Sequence, residues 1–160
     1  MDSFPIEAEI GQILTARKLT IATAESCTGG LVSHRLTNIS GSSAYFLGGV
    51  IAYAYDAKEH LLHVRHNTLY QHGAVSEETV REMARGARFA LGADIGLAVT
   101  GIAGPGGGMP GKPVGLVWLG LSARDAELTR SFVWNGERVS NKEQSAQAAL
   151  ELALEYLRRP

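Results

Sequence analysis

The sequence has little of several features that would assign a class of function. It contains one cysteine in 160 residues, which excludes an internal disulfide and argues against a cluster of thiolate metal ligands. No apolar run reaches the roughly 18 residues that a membrane-spanning helix needs, and Met1 to Pro5 lack the pattern of a secretory signal. The net charge of −1 is a poor match for an obligate nucleic-acid binder. These absences predict a cytoplasmic protein with no membrane and no nucleic acid as its partner.

What the sequence does contain is an alternation of strand and helix patterns. Its 160 residues, 45% of them hydrophobic, are enough to bury a core, and we interpret residues 1–160 as one domain. β-Branched and apolar runs predict strands at 19–23, 46–55, 93–100, 114–121 and 127–134. The last two are expected to form an antiparallel pair. This order predicts an α/β fold, a three-layer α/β/α sandwich with one antiparallel excursion late in the chain.

Helices are predicted between these strands from apolar residues at helical spacing. They cover 6–18, 29–37, a segment from 56, 76–91, and a last helix from 137 or 140 to 157. Asp56 and Ser76 are expected to cap the helices that follow them. Gly92 is expected to end the helix that Ser76 begins.

Three segments are expected at the carboxyl edge of the sheet, where ligands bind in open α/β folds. They are residues 25–30, 53–58 and 100–105. Serine and lysine can act as nucleophile and base if a drier site lowers the lysine pKa, and Leu61 and Leu62 are expected to help exclude water. The chemically useful side chains in these segments are Ser26, Tyr53, Lys58 and Thr100.

The segment from Ala24 to Gly30 joins a predicted strand to a predicted helix through small and polar residues. Free N–H groups and the positive end of a helix dipole suit an anion or an activated nucleophile there, although an ordinary capped turn has the same pattern. Cys27 rivals Ser26 as the nucleophile, because an ionised thiol is reactive. Adjacent side chains at a sharp turn point in different directions, so we expect one of the two to face the site and the other to pack.

Two patterns that suggest phosphate or metal binding are rejected. Gly106 to Lys112 has the spacing of a Walker A loop, but Pro113 stands where the magnesium-binding hydroxyl belongs, and a strand pattern follows. His60, His63 and His66 recur every three residues, which spreads them around a helix without a supporting carboxylate cluster. We therefore expect neither an ATPase nor a bound metal.

Six short motifs follow one another along the chain: residues 24–30, 41–43, the pair Tyr53 and Lys58, 72–76, 100–105 and 112–115. Together they resemble the CinA carboxy-terminal domain family over about residues 6–157. The resemblance implies a three-layer sandwich with a mixed, mostly parallel five-stranded sheet. Family members include the nicotinamide mononucleotide amidohydrolase of bacterial pyridine nucleotide salvage. The domain also occurs fused behind a molybdopterin-binding-like domain, and this chain is expected to be the stand-alone form.

The resemblance implies a hydrolase without metal or cofactor that converts nicotinamide mononucleotide and water into nicotinate mononucleotide and ammonia. Ser26 matches the nucleophile and Lys58 its general base, while Tyr53 and Thr100 match residues that orient groups or relay protons. Arg138 matches an arginine that reaches the site from the last helix. The catalytic set implied is thus Ser26, Lys58 and Tyr53. The substrate-binding set is Thr28, Gly29, Gly30, Thr100, Gly101 and Arg138.

The phosphate of this substrate and the oxyanion of its transition state each need positively charged or N–H groups to bind them. Arg138 and the helix N-terminus after Gly29 are the expected places for the phosphate. Lys142 stands where family members often carry a second arginine, and lysine keeps the charge but loses the planar fork. Backbone N–H groups of residues 27–29 are the candidates for holding an oxyanion.

Two alternatives to this activity remain open. The domain could be a catalytically silent nucleotide-binding or regulatory module, although the presence of both Ser26 and Lys58 favours an enzyme. It could also hydrolyse another small amide with the same residues. The expected partners are the small-molecule substrate and further copies of the chain, with a dimer as the first expectation.

Overall fold

The computed structural model describes residues 4–160 and contains a five-stranded sheet in the order β2-β1-β3-β4-β5. β1 pairs in parallel with β2 and β3, whereas β4 is antiparallel to β3 and to β5. Four strands therefore run in one direction and β4 runs against them, which confirms the expected mixed, mostly parallel sheet. The strands are β1 (Ile21–Glu25), β2 (Phe46–Ile51), β3 (Ile95–Gly101), β4 (Leu116–Ala123) and β5 (Glu127–Val133).

Helices cover both faces of this sheet. α1, α2 and α6 share one apolar core with the sheet, and α5 with the ends of α3 and α4 forms the other. The three-layer sandwich is thereby confirmed. No helix within residues 4–160 is long and apolar enough to cross a membrane. The helices are α1 (Ile6–Arg17), α2 (Leu31–Thr37), α3 (Tyr55–Leu62), α4 (His66–His72), α5 (Glu77–Leu91) and α6 (Arg138–Leu157), with a 3₁₀ turn at Ser42–Ala44.

Two of the three predicted helix ends match the structure, at Ser76 and Gly92. The Ser76 side chain accepts a hydrogen bond from the Thr79 N–H, and Gly92 ends α5 in the left-handed conformation. Asp56 is not a cap, because α3 begins one residue earlier and no side chain bonds its first turn. Helix α4 was not predicted, since only Thr68 and Leu69 of its seven residues are buried and no amphipathic pattern marks it.

Two glycines bring α5 into close contact with its neighbours. A Cβ at Gly86 would lie 2.1 Å from the carbonyl oxygen of Leu62, the last residue of α3. A Cβ at Gly96 on β3 would lie 2.0 Å from the carbonyl oxygen of Ala84 on α5. Only glycine allows backbone to approach backbone this closely. The position of α3 over the sheet therefore depends on Gly86.

Candidate active site

The carboxyl edge of the sheet brings together two of the predicted site residues. Ser26 directly follows β1, and Lys58 lies on α3, which follows the neighbouring strand β2. The Lys58 Nζ atom lies 2.9 Å from the Ser26 Oγ atom. Parallel strands that pair side by side end at the same edge, which explains why residues 32 positions apart meet there.

Backbone carbonyl groups hold the Lys58 amine in place. Its Nζ donates to the carbonyl oxygens of Ala52, at 2.8 Å, and Tyr53, at 3.0 Å. The residue is only 1% exposed, and no carboxylate among the described residues forms an ion pair with it. The chain leaves β2 at Ile51 instead of continuing to residue 55, and this departure turns the two carbonyls towards the amine.

Burial lowers the pKa of Lys58 from 10.5 to about 8, since removal from water disfavours the charged ammonium. A lysine with this pKa has an appreciable neutral fraction near neutral pH. Leu62 is buried, as expected, in the core beneath α3. Leu61 is 52% exposed, so the expectation that it excludes water from the site is wrong; on α3 its side chain points to solvent.

Cys27 and Ser26 face different surroundings, as expected for adjacent residues at a sharp turn. Cys27 is buried in the core on the α6 side of the sheet. Burial, with a smaller contribution from the nearby Glu25 charge, raises the pKa of its thiol to about 12. The thiolate is therefore scarce at neutral pH. Ser26, next to Lys58, is the better placed nucleophile.

The N-terminus of α2 is occupied by the chain itself. The Glu25 carboxylate accepts hydrogen bonds from the N–H groups of Val32, at 2.9 Å, and Ser33, at 3.0 Å. The expectation that this helix end receives the substrate phosphate is thus wrong, because a carboxylate already binds its N–H groups. Thr28 is 1% exposed, and its hydroxyl donates to Glu25 at 2.6 Å, so its place in the substrate-binding set stays a prediction that its side chain does not carry.

At the end of β3, Thr100 and Gly101 contact other parts of the protein. The Thr100 hydroxyl donates to the Ala74 carbonyl oxygen at 2.8 Å, and the residue is buried. A Cβ at Gly101 would lie 2.9 Å from the Leu116 carbonyl oxygen and 3.1 Å from the Cys27 Sγ atom. Their place in the substrate-binding set stays a prediction. They hold the surroundings of the site in place.

Tyr53 and Arg138 lie together at the rim of the site. Tyr53 is 62% exposed, and its phenol oxygen accepts a hydrogen bond from Arg138 Nη2 at 3.1 Å. Arg138 Nη1 donates to the Gly104 carbonyl oxygen at 2.8 Å. The Tyr53 backbone carbonyl contacts Lys58, while the catalytic part of its phenol stays a prediction. Sequence reasoning missed this contact because every residue type carries a carbonyl.

Gly29 and Gly30 form the turn between Ser26 and α2. Their φ angles of +60° and +106° belong to the left-handed region that favours glycine. The Lys142 Nζ atom of α6 lies 3.8 Å from the place of a Cβ at Gly29. Arg138 and Lys142, one turn apart on α6, therefore both reach this edge of the sheet.

A cavity of about 840 Å³ opens beside Arg138. Its size falls within the usual range for small-molecule sites, roughly 300–1,000 Å³. It has room for a polar, charged group near the Arg138 guanidinium. Its walls come from the loop after β3 and the start of α6, at Ala103, Gly104, Pro105, Val114 and residues 136–140.

The patterns that were rejected as phosphate or metal sites have other structures. The segment from Gly106 to Lys112 leads into strand β4 and not into a helix, which confirms that it is no Walker A loop. Within residues 4–160, no three His, Cys, Asp or Glu side chains gather as a metal-binding group. His66 instead lies 2.7 Å from a carboxylate oxygen of Glu59.

The sequence matches the CinA C-terminal domain over residues 3–157. A CinA-like protein of Chloroherpeton thalassium is 52% identical over 157 residues, and one of Thermotoga maritima is 45% identical over 153. Each alignment covers 96% of this chain but 37% of the relative, so the chain spans well under half the length of these curated relatives.

Solved structures show the same fold over the whole chain. The crystal structure of the competence/damage inducible protein CihA from Agrobacterium tumefaciens superposes with a TM-score of 0.92 at 41% identity, covering 99% of this chain and 100% of that one. A competence damage-inducible protein A from Klebsiella pneumoniae gives a TM-score of 0.92 at 36% identity, with 97% of both chains covered. The chain therefore belongs to the CinA C-terminal domain family.

Proposed function

We propose that this domain is an amidohydrolase that converts nicotinamide mononucleotide and water into nicotinate mononucleotide and ammonia. The observation that carries the proposal is the 2.9 Å contact between Ser26 Oγ and Lys58 Nζ, made by a buried lysine whose pKa is lowered to about 8. A serine beside such a lysine is an activated nucleophile. The amide and the nucleotide are assigned from the family resemblance.

The hydrogen bonds of Lys58 support its part as the base. A neutral amine has two N–H donors and one lone pair. The carbonyl oxygens of Ala52 and Tyr53 can only accept hydrogen bonds, and both contact Nζ. The two N–H groups therefore point at the carbonyls, and the lone pair points at Ser26, the third partner. In its neutral form the amine is oriented to take the hydroxyl proton.

The reaction then proceeds in two balanced steps. Ser26 Oγ attacks the carboxamide carbon as its proton passes to Lys58, and ammonia leaves with that proton while the acyl group stays on the serine. Water next attacks the acyl carbon and gives a proton to Lys58. The bond to Oγ breaks, the proton returns to Ser26, and nicotinate mononucleotide leaves as the carboxylic acid, which loses its proton to solvent.

The oxyanion that forms in each step needs donors near Ser26. The Gly29 N–H is already bound to the Ser26 carbonyl oxygen at 3.1 Å, which removes it from the expected set. The N–H groups of Cys27 and Thr28 remain as candidates. Both belong to the turn that the Glu25 carboxylate ties to α2.

The phosphate of the substrate is assigned to the cations of α6. Arg138 has a guanidinium beside the 840 Å³ cavity, and Lys142 extends over Gly29. A guanidinium recognises phosphate through two parallel N–H bonds. Because Glu25 fills the N-terminus of α2, the phosphate is assigned to these two side chains and not to that helix end.

An ammonia-release assay tests the proposal with nicotinamide mononucleotide, its riboside and free nicotinamide as substrates. The mononucleotide should be hydrolysed best, Ser26→Ala should abolish turnover while the protein stays folded, and Cys27→Ala, the matched neighbour, should keep most of it. Loss in Cys27→Ala alone would transfer the nucleophile to the thiol. A different amide as the best substrate would keep the mechanism and replace the substrate. No turnover by the wild type on any amide would leave a silent binding module.

A further inference from the structure

The Glu25 carboxylate is buried next to Ser26, and all of its hydrogen bonds are made to other groups of the chain. One oxygen accepts from the Thr28 hydroxyl, at 2.6 Å, and the Val32 N–H, at 2.9 Å. The other accepts from the N–H and the hydroxyl of Ser33, at 3.0 and 2.7 Å. Among the described residues, none of the ion pairs includes Glu25. Four donors and the positive end of α2 balance its charge.

We propose that Glu25 is a positioning residue for Ser26. It caps α2 from the end of β1 and fixes the turn that carries the nucleophile, so that Ser26 Oγ lies against Lys58. The inference rests on the proposed nucleophilic part of Ser26. Removal of the Glu25 carboxylate should therefore lower the rate of the Ser26 reaction and leave substrate binding nearly unchanged.

A line of hydroxyl groups extends the contacts of Glu25 into the sheet. Thr23 and Glu25 lie on the same face of β1, two residues apart. Because the Ser33 hydroxyl donates to Glu25, its 2.7 Å contact with the Thr23 hydroxyl must be one in which Thr23 donates. A Cβ at Gly49 on β2 would lie 2.1 Å from the Thr23 Oγ1 atom and 2.8 Å from the Ser33 Oγ atom. The neighbouring strand thus leaves room for this network.

The backbone of Glu25 also links the nucleophile to the base. Its carbonyl oxygen accepts from the Ala52 N–H at 2.8 Å, and the Ala52 carbonyl oxygen accepts from Lys58 Nζ at 2.8 Å. Ser26, the next residue, is held by its N–H to the Val99 carbonyl oxygen at 3.0 Å. A shift of the backbone at Glu25 would therefore move both partners of the 2.9 Å contact.

The chain offers a close control for this role at the start of α4. The Glu82 carboxylate accepts from the Arg65 N–H at 2.9 Å and the Thr68 hydroxyl at 2.6 Å, as Glu25 accepts from a backbone N–H and a threonine at α2. Glu82 belongs to α5 and contacts neither Ser26 nor Lys58. Glu82 also forms an ion pair with Arg65, so its removal costs a cap and an ion pair away from the candidate site, whereas removal of Glu25 costs a cap at the site.

The first experiment compares Glu25→Gln with Glu82→Gln. The rate of Ser26 labelling by a fluorophosphonate, in which Oγ displaces fluoride from phosphorus, is followed by intact-protein mass spectrometry beside kcat and KM for nicotinamide mononucleotide. Small displacements of a reacting group cost up to about 100-fold in rate, so we expect labelling and kcat to fall at least about 10-fold in Glu25→Gln, with KM within about 3-fold. Glu82→Gln should keep both rates within about 2-fold. Equal rates in the two variants would overturn the inference.

A second pair of variants keeps the test independent of whether Glu25→Gln folds. Thr28→Val removes one donor to Glu25 at nearly constant volume, Thr28→Ser keeps that donor, and Thr68→Val is the control at α4. We expect Thr28→Val to lower kcat and labelling, Thr28→Ser to restore them, and Thr68→Val to change neither. A rise in KM without loss of kcat in Thr28→Val would show a substrate contact and overturn the inference. Absence of labelling and turnover in the wild type would overturn the proposed function itself.

Discussion

Replacement of Lys58 by methionine should change how the stability of the fold depends on pH. Methionine has a similar unbranched side chain and carries no charge. Lys58 is 1% exposed, and burial lowers its pKa from 10.5 to about 8. A group whose pKa differs between the folded and unfolded chain makes the free energy of unfolding depend on pH, and Lys58→Met removes that contribution alone.

The sign and the size follow from the two pKa values. Below about pH 8 the amine is protonated in both states, and the folded state bears the cost of burying the charge. Between about 8 and 10.5 the unfolded chain binds more protons than the folded one, so stability rises with pH. Each pKa unit corresponds to about 1.4 kcal/mol, so the full rise is about 3 kcal/mol. By about pH 10 the free energy of unfolding should have risen by roughly 2 to 3 kcal/mol.

Urea unfolding followed by circular dichroism measures this effect without any substrate. The free energy of unfolding is determined for the wild type and for Lys58→Met at several values between about pH 7 and pH 10. Tyrosines and other lysines titrate equally in both proteins, so the difference between the two curves isolates Lys58. The wild type should gain about 2 to 3 kcal/mol more than the variant over this range. Parallel curves would refute the lowered pKa and with it the neutral base.

Two further predictions concern activity. The kcat/KM of the wild type should rise about 5-fold between about pH 7 and pH 8 and level off above about pH 9, because Lys58 becomes neutral over this range. Lys58→Arg should be nearly inactive, since guanidinium keeps its proton, and a flat wild-type profile through pH 8 would contradict the base. Arg138→Ala should lower kcat/KM for nicotinamide mononucleotide about 10- to 100-fold and for the riboside less than about 3-fold. Equal losses for both would mean that Arg138 only holds the loop at Gly104.

Topology explains why the approach of Ser26 and Lys58 could be predicted from the sequence. Ser26 and Lys58 follow two strands that are neighbours in a parallel pair, so their approach requires only the right order of strands. The turn at Gly29 and the cap at Ser76 are also local properties of the chain. Such features depend on a few consecutive residues, which a sequence displays.

The errors concern contacts that only the folded chain decides. Glu25 lies next to the nucleophile in sequence, but its binding to the α2 N-terminus depends on how its side chain folds back over the turn. Its position two residues after Thr23 on a buried strand was the available signal. The hydroxyl groups of Thr28 and Thr100 also bind other parts of the protein, which leaves their place in the substrate-binding set a prediction. Residue type and position did not reveal which way these side chains point.

The close contact of Gly86 with Leu62 affects how the contact between Ser26 and Lys58 can be lost in evolution. A methyl group at Gly86 would push α3 away from the sheet, and α3 carries Lys58. Ser26 and Lys58 would then persist in the sequence while the gap between them widened beyond the reach of a proton. A relative that retains both residues therefore keeps them in contact only if α3 and α5 still pack this closely.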